Sequence, residues 1–373
     1  MNEQEILYHI ALTLTPQLKI QAQRRLIEAF GSATNVFQNR HNPNSALPDA
    51  TPLLKETLKS LEGQLKRAEE ELTFIQRYHI RCLCIGDTDY PSRLKECPDA
   101  PIILYYKGCA NLNAPHVISM VGTRRCTEYG KDLCRHFAAD LKTLCPDTLI
   151  VSGLAYGIDI HSQRAALNNK FNTVAVLAHG LDTIYPSIHR DDALQMIEHG
   201  GLLTEFKSKT IPERRNFISR NRIIAGIADA VVVVESGEKG GALITADFAL
   251  NYNREVFTFP GRTTDEFSIG CNRLVSNNKA TIILNAKDLT TAMDWKQMPN
   301  PEKPETYVQR ELFPDLNPEE RQIVDLLKTA DAIHVNAIAE KLGMPIHRVS
   351  ACLVNLEIMG VVKSLRGSMY KLL

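Results

Sequence analysis

The stretch from Pro212 to Gly226, PERRNFISRNRIIAG, sets Arg214, Arg215, Arg220 and Arg222 against one acid, Glu213, with Phe217 between the two arginine pairs. Guanidinium groups beside an aromatic ring suit a strand of nucleic acid, because the cations take phosphates and the ring stacks on a base. The chain as a whole carries 43 basic and 43 acidic residues, so this basicity is local. A protein of zero formal charge does not coat nucleic acid by bulk attraction, and any such binding must come from a focused patch. The plainer alternative is a solvated charge run leading into a helix.

The segment gains meaning from the elements expected to position it. From about Tyr78, short apolar runs alternate with helical stretches. The runs are Cys82–Ile85, Ile102–Tyr106, Val117–Val121, Leu149–Ser152, Val174–Ala178, Leu202–Leu203, Ala230–Glu235, Val256–Phe259 and Thr281–Leu284. Runs of this composition, alternating with helices, predict a doubly wound α/β domain with a parallel sheet buried on both faces. Such sheets bind ligands where the strands' carboxyl ends turn into helices. Four of those turns are rich in small residues. They are Gly122-Thr123-Arg124, Gly153 to Gly157, His179-Gly180-Leu181-Asp182, and Ser236 to Gly241 with Lys239, Gly240 and Gly241. Their backbone N–H groups are expected to form a phosphate-binding rim.

None of the four turns is G-x-G-x-x-G or a Walker A lysine loop, which counts against a nicotinamide enzyme or an ATPase. Asp159, Asp182 and Glu235 have no evident nucleophile or metal partner, and His161, His179 and His189 lack metal-ligand spacing. Structural roles such as helix capping are expected for them, with no catalytic residue, metal or cofactor. The nine cysteines are scattered and form no C-x-x-C. Reduced thiols in a cytoplasmic protein are therefore expected. No stretch of about 18 apolar residues is present, so no membrane span is expected, and MNEQEILYHI does not read as a signal peptide.

Residues 1 to about 75 read as helices, with Pro16 separating the first two, Gly31 and Ser32 as a stop and a cap, and a charged helix from Leu53 to about Arg77. Residues 296–315 read as a proline-rich linker. In the last segment Asn317-Pro318 opens a helix, and two further helices precede strands at Val361–Ser364 and Met369–Leu372. That is the order of a winged helix, whose expected recognition helix carries only His347 and Arg348 as cations. DNA binding and protein contact both remain open for it.

Several motifs resemble those of the DNA-processing protein A family of bacteria, also called DprA or Smf. They are Val121-Gly122-Thr123-Arg124, SGLAYGID at 152–159, AHGLDTIYP at 178–186, FISRNRIIAG at 217–226, GGALITA at 240–246 and PGR at 260–262. The resemblance implies an N-terminal helical module (SAM or helix-hairpin-helix-like) over 1–75, an extended Rossmann-like domain over 76–295, and a winged helix over 316–373. It also implies a homodimer formed through the Rossmann domain. Such a protein binds and protects single-stranded DNA and loads the RecA recombinase during natural transformation.

By resemblance, Arg124 and the basic run would line the DNA pocket, with Arg214 as a basic and Phe217 as a base-stacking position. The set expected at the DNA is Gly122, Arg124, Gly153, Gly157, Arg214 and Arg215, with Phe217, Arg220, Asn221, Arg222, Lys239, Gly240 and Gly241. The chain departs from the family pattern at Ser162-Gln163, where Ala-His is usual, and at Lys207-Ser208-Lys209-Thr210, where proline and glycine are usual. A rival reading is a nucleotide phosphoribohydrolase-like enzyme, with Gly240-Gly241 before a helix bearing Thr245 and Asp247.

Overall fold

The computed structural model of the 373-residue chain describes residues 2–48, 50–295, 316–330, 332–365 and 367–372. It has two compact units, Met1–Leu284 and Asn285–Leu373. The linker expected over 296–315 lies outside the described residues, as does Arg366 in the expected wing turn.

The first unit opens with helices α1 (Glu3–Leu14), α2 (Ile20–Phe30), α3 (Ala33–Gln38), α4 (Pro52–Lys59) and α5 (Leu65–Arg77). Gly31 ends α2 with φ of 78°, a conformation that costs glycine little, and the Ser32 hydroxyl accepts from Asn35 N–H to start α3. The single helix expected from Leu53 to Arg77 is instead two. A 3₁₀ turn, Ser60–Gln64, interrupts it at serine and glycine, both poorer helix formers than their neighbours.

The central sheet follows, with β1 (Arg81–Cys84), β2 (Ile103–Gly108), β3 (His116–Val121), β4 (Thr148–Ser152), β5 (Thr173–Val176), β6 (Gly200–Thr204), β7 (Ala230–Val233), β8 (Glu255–Thr258) and β9 (Thr281–Ile282). Each lies on an apolar run identified in the sequence. Their spatial order is β1-β2-β6-β5-β4-β3-β7-β8-β9. Pairing is parallel from β6 through to β9, whereas β1 and β2 join antiparallel at one edge. The inner strands β3, β4 and β7 are almost wholly buried, because helices cover both faces.

Those helices are α6 (Ser92–Lys95), α7 (Glu128–Leu144), α8 (Ile158–Asn168), α9 (Arg190–Glu198), α10 (Arg214–Ile227), α11 (Gly241–Asn251) and α12 (Ile269–Ser276). One continuous core runs from Ile10, Leu26 and Ile75 of the helical module to Leu83, Leu104 and Val231 of the sheet. After β3 the chain winds through β4, β5 and β6 on one side. It then crosses to β7 on the other, so the switch in winding direction falls between β3 and β7.

The second unit contains α13 (Ala286–Ala292), α14 (Pro318–Leu327), β10 (Ile333–His334), α15 (Val335–Leu342), α16 (Ile346–Ile358), β11 (Val362–Leu365) and β12 (Met369–Leu372). Asn317 and Glu320 form a reciprocal capping box at α14. Ile323, Leu327, Ile338, Leu353 and Leu356 close a core of its own, completing a winged helix. Outward-facing α16 positions include Ile346, Val354 and Ile358, while Arg348 is tied to Glu319 at 2.9 Å.

Candidate nucleic-acid interface

An open cleft of about 970 Å³ lies at the switch point, where the turns after β3 and β7 part. One wall is α10, another the turn leading into α11, and Val121 to Arg124 form the edge between them. The basic stretch is helical from Arg214. Its periodicity sorts the side chains. Arg214, Phe217, Arg220, Asn221 and Ile224, spaced three and four apart, all line the cleft. Arg215 and Arg222 lie seven apart on another side, and neither lines it.

Phe217 is half-buried. Its ring meets Tyr185 edge to face, with centroids 5.9 Å apart, and the Arg124 guanidinium stands 5.0 Å from its centroid. Arg124, Arg214 and Lys239 are exposed at the cleft and have no carboxylate partner among the described residues. The acids at the rim are neutralised, Glu238 by Arg273 and Asp247 by Lys279, each at 2.7 Å.

Arg220 and Arg222 depart from the expectation of free phosphate-binding cations. Arg220 is 3% exposed on the cleft floor and donates to the carbonyls of Gly153, at 2.7 Å, and Val176. Burial pushes its pKa down to about 10, opposed by Asp159, so it stays charged at neutral pH. Burial raises the Asp159 carboxyl, and Arg220 opposes that rise. Arg222 points away from the cleft into an ion pair with Glu205 and donates to the Asp99 carbonyl at 2.5 Å. Its charge is spent on the interior. Arg215 is exposed and paired with Glu213 at 3.0 Å.

The expected phosphate rim is also smaller than four turns. Thr127 caps α7, and the buried Glu235 carboxylate accepts from Thr127 N–H at 2.9 Å. Thr123 N–H is taken by the Glu235 carbonyl. Asp159 accepts backbone N–H bonds from Gly153 and Ala155. Gly180 N–H goes to the Thr210 carbonyl. What remains is the start of α11, where Gly240 offers no side-chain cap and Gly240, Gly241 and Ala242 line the cleft. First-turn N–H groups there are open to a ligand oxygen.

Gly153 and Gly157 are needed for close packing instead of anion contact. A Cβ on Gly157, at φ of 76°, would lie 2.1 Å from the Thr123 carbonyl, and one on Gly153 would lie 2.3 Å from Arg220. Gly122 does both, lining the cleft while packing on Ile158.

Glu235 serves the start of α7 as the capping expectation had it, whereas Asp159 caps no helix, since α8 starts without a side-chain cap and Asp159 holds the turn before it. His179 donates from Nδ1 to the Gly180 carbonyl and accepts at Nε2 from Tyr185 N–H, and burial pulls its pKa down. Ser162 and Gln163 are fully buried. Gln163 bridges Leu154 N–H and the Val174 carbonyl, so the departure from the family pattern is filled by an internal hydrogen-bond bridge. Sequence reasoning missed Tyr185 and the two exposed cleft aliphatics Ile218 and Ile244. Tyr185 sat within a quoted motif, but nothing local revealed its contact with Phe217.

The model of the family described as DNA recombination-mediator protein A matches residues 81–294, over half of the chain. The chain belongs to that family. A model of the DprA winged helix domain matches residues 310–368. A putative DNA processing protein DprA of Mycobacterium tuberculosis is 32% identical over 317 residues, spanning 82% of this chain and 80% of the relative. The DNA processing protein DprA of Bacillus subtilis is 37% identical over 238 residues, covering 63% of this chain and 78% of that protein. Among solved structures, DNA processing protein A of Streptococcus pneumoniae superposes with a TM-score of 0.65 at 28% identity, over 78% of this chain and 98% of that one. The Helicobacter pylori protein, whose structure is described for its single-stranded DNA binding mode, gives 0.51 at 28% identity, over 57% and 94%. In this family member no described helix is long and apolar enough to cross a membrane.

Proposed function

We propose that the cleft between the β3 and β7 turns binds a single strand of DNA without reading its sequence. The observation that carries this is Phe217, set at the switch point beside Tyr185 and flanked by the unpaired cations Arg124, Arg214 and Lys239. A ring that stacks on any base, with cations for the phosphates, is sequence-tolerant by construction. The single-stranded DNA binding mode described for the H. pylori relative supports the same reading. From its family membership we propose further that the protein protects incoming single-stranded DNA and loads RecA onto it during natural transformation, working in the cytoplasm as a homodimer joined through the sheet domain.

The cleft acts by binding, with no turnover. In support of this reading, Asp159 faces Arg220, Glu235 accepts from Thr127, and Glu238 and Asp247 pair with Arg273 and Lys279. The test is a salt titration of labelled oligothymidylate and of duplex DNA on the full chain, with AMP incubated in parallel. Tighter single-strand binding, with log affinity falling by about 0.7 per neutralised phosphate for each unit of log salt, is expected. Equal or tighter duplex binding overturns the strand preference. Release of adenine from AMP, abolished by Asp247→Asn, overturns the non-enzymatic reading.

A further inference from the structure

The loop that feeds the cleft helix is held from outside the α/β domain. Glu71, on α5 of the helical module, is 2% exposed. Its carboxylate accepts from Ser208 N–H at 2.8 Å and from the Ser208 hydroxyl at 2.5 Å. Arg67, one turn earlier, pairs with Glu71 at 2.8 Å and donates to the Ser208 carbonyl at 2.8 Å. Ser208 is thereby gripped at its N–H, its carbonyl and its hydroxyl by one face of α5. A carboxylate accepting a backbone N–H and a hydroxyl in a dry setting makes stronger bonds than a neutral acceptor would.

The grip falls on a strained turn. Lys209, next in sequence, has φ of 66°, a region that a lysine occupies only where its surroundings impose it. From this turn two hydrogen-bonded connections reach the cleft. Thr210 accepts from Gly180 N–H, which fixes the His179–Gly180 segment, and His179 in turn accepts from Tyr185 N–H. A Cβ on Gly180 would sit 2.4 Å from the Lys207 carbonyl, so the two segments are in direct backbone contact. In the other direction, Asn216 donates to the Ile211 carbonyl at 3.1 Å and ties the end of the loop to the first turn of α10. Tyr185 is thereby tied to the Lys207–Thr210 turn by hydrogen bonds, and Phe217, next to Asn216, through the short chain that follows the turn.

We propose that Glu71 is a positioning residue for the DNA cleft, and that the helical module, without touching the strand, sets the Tyr185–Phe217 geometry on which a base stacks. This rests on the single-strand reading above. It gives the N-terminal module a part in DNA affinity distinct from its contribution to the core.

The test is a double-mutant cycle on the full chain, read by oligothymidylate binding well below the melting temperature. Glu71→Ala should weaken binding about five- to tenfold in the otherwise unaltered protein, but by less than about twofold in a Phe217→Ala background, where there is no stack left to position. The salt slope should stay unchanged, because no phosphate contact is removed. Should Glu71→Ala fail to fold, Ser208→Ala removes only the hydroxyl and should give a smaller loss with the same non-additivity. A folded Glu71 or Ser208 variant that binds like the unaltered chain overturns the proposal. So does a loss that persists undiminished without Phe217, which would mark a purely structural role. If the unaltered chain itself does not bind the oligonucleotide, the reading of the cleft fails first and the proposal falls with it.

Discussion

Removing Arg222 should damage the fold and spare the DNA site, whereas removing Arg214 should do the reverse. Arg222 is 4% exposed and Glu205 12%, and their ion pair is closed off beneath α10. Arg222→Ala leaves the Glu205 carboxylate buried without its cation, a loss of roughly 3–5 kcal/mol. For a unit of this size that corresponds to a melting temperature lower by roughly 5–8 °C. Burial already holds the Glu205 carboxyl above its ordinary value of 4.5, with Arg222 opposing, and the variant loses that opposition. An acid whose folded pKa lies above its unfolded one binds its proton more tightly when folded. Its penalty is therefore full at neutral pH and fades as pH falls toward 4.5. The variant's stability deficit should shrink in that direction, and adding Glu205→Gln should remove the pH dependence. DNA affinity of the folded protein should stay within about twofold, with the same salt slope. Arg214→Ala is the counterpart. Arg214 is exposed at the cleft, so its loss should shift stability by no more than about 0.5 kcal/mol. It should flatten the salt slope by about 0.7, so the unaltered protein's advantage shrinks about 2.6-fold for each fourfold rise in salt. Thermal melts and salt titrations of both variants decide the matter. An Arg222→Ala protein that melts normally and shows the flattened slope would refute the assignment of Arg222 to the interior.

Phe217→Ala should cost about 1–3 kcal/mol of single-strand affinity with an unchanged salt slope, since a stack and no phosphate contact is lost. Because the ring is only half-buried, its melting temperature should fall far less than for a core phenylalanine, and a large fall with normal binding would move the residue into the core. Gly157→Ala forces a Cβ to 2.1 Å from the Thr123 carbonyl at a positive φ, so a lower melting temperature and weaker DNA binding through a displaced Arg124 turn are expected together in one series of melts and titrations. Deleting residues 316–373 removes a unit with its own core and should leave single-strand affinity within about tenfold; a larger loss in a folded truncation would place the DNA site on the winged helix.

Local order was largely legible in the sequence. Nine apolar runs became the nine strands of the central sheet among the described residues, most clearly for the inner strands, because a strand buried on both faces must be apolar throughout. The Gly31–Ser32 stop and cap and the Asn317 start are likewise written in single residues, since a cap depends on neighbours within about one turn. The motif set pointed to four turns at the strands' carboxyl ends, and only the packing showed that those after β3 and β7 part to form the cleft.

What each arginine does was not legible, because charge is visible in a sequence and its partner is not. Arg222 is neutralised by Glu205, 17 residues away along the chain, and bonds to Asp99, 123 away. Arg220 is consumed by carbonyls 44 and 67 residues distant. The glycine loops looked equivalent in the sequence, but the Glu235 carbonyl takes the Thr123 N–H of one and the Thr210 carbonyl takes the Gly180 N–H of another. The hold of Glu71 on Ser208 spans 137 residues. The sequence by itself determined which segments are strands and helices and that a basic, aromatic stretch meets the ligand edge of a parallel sheet. The tertiary structure alone decided which cations stay free for a phosphate, because only packing brings together the distant carboxylates and carbonyls that take up the rest.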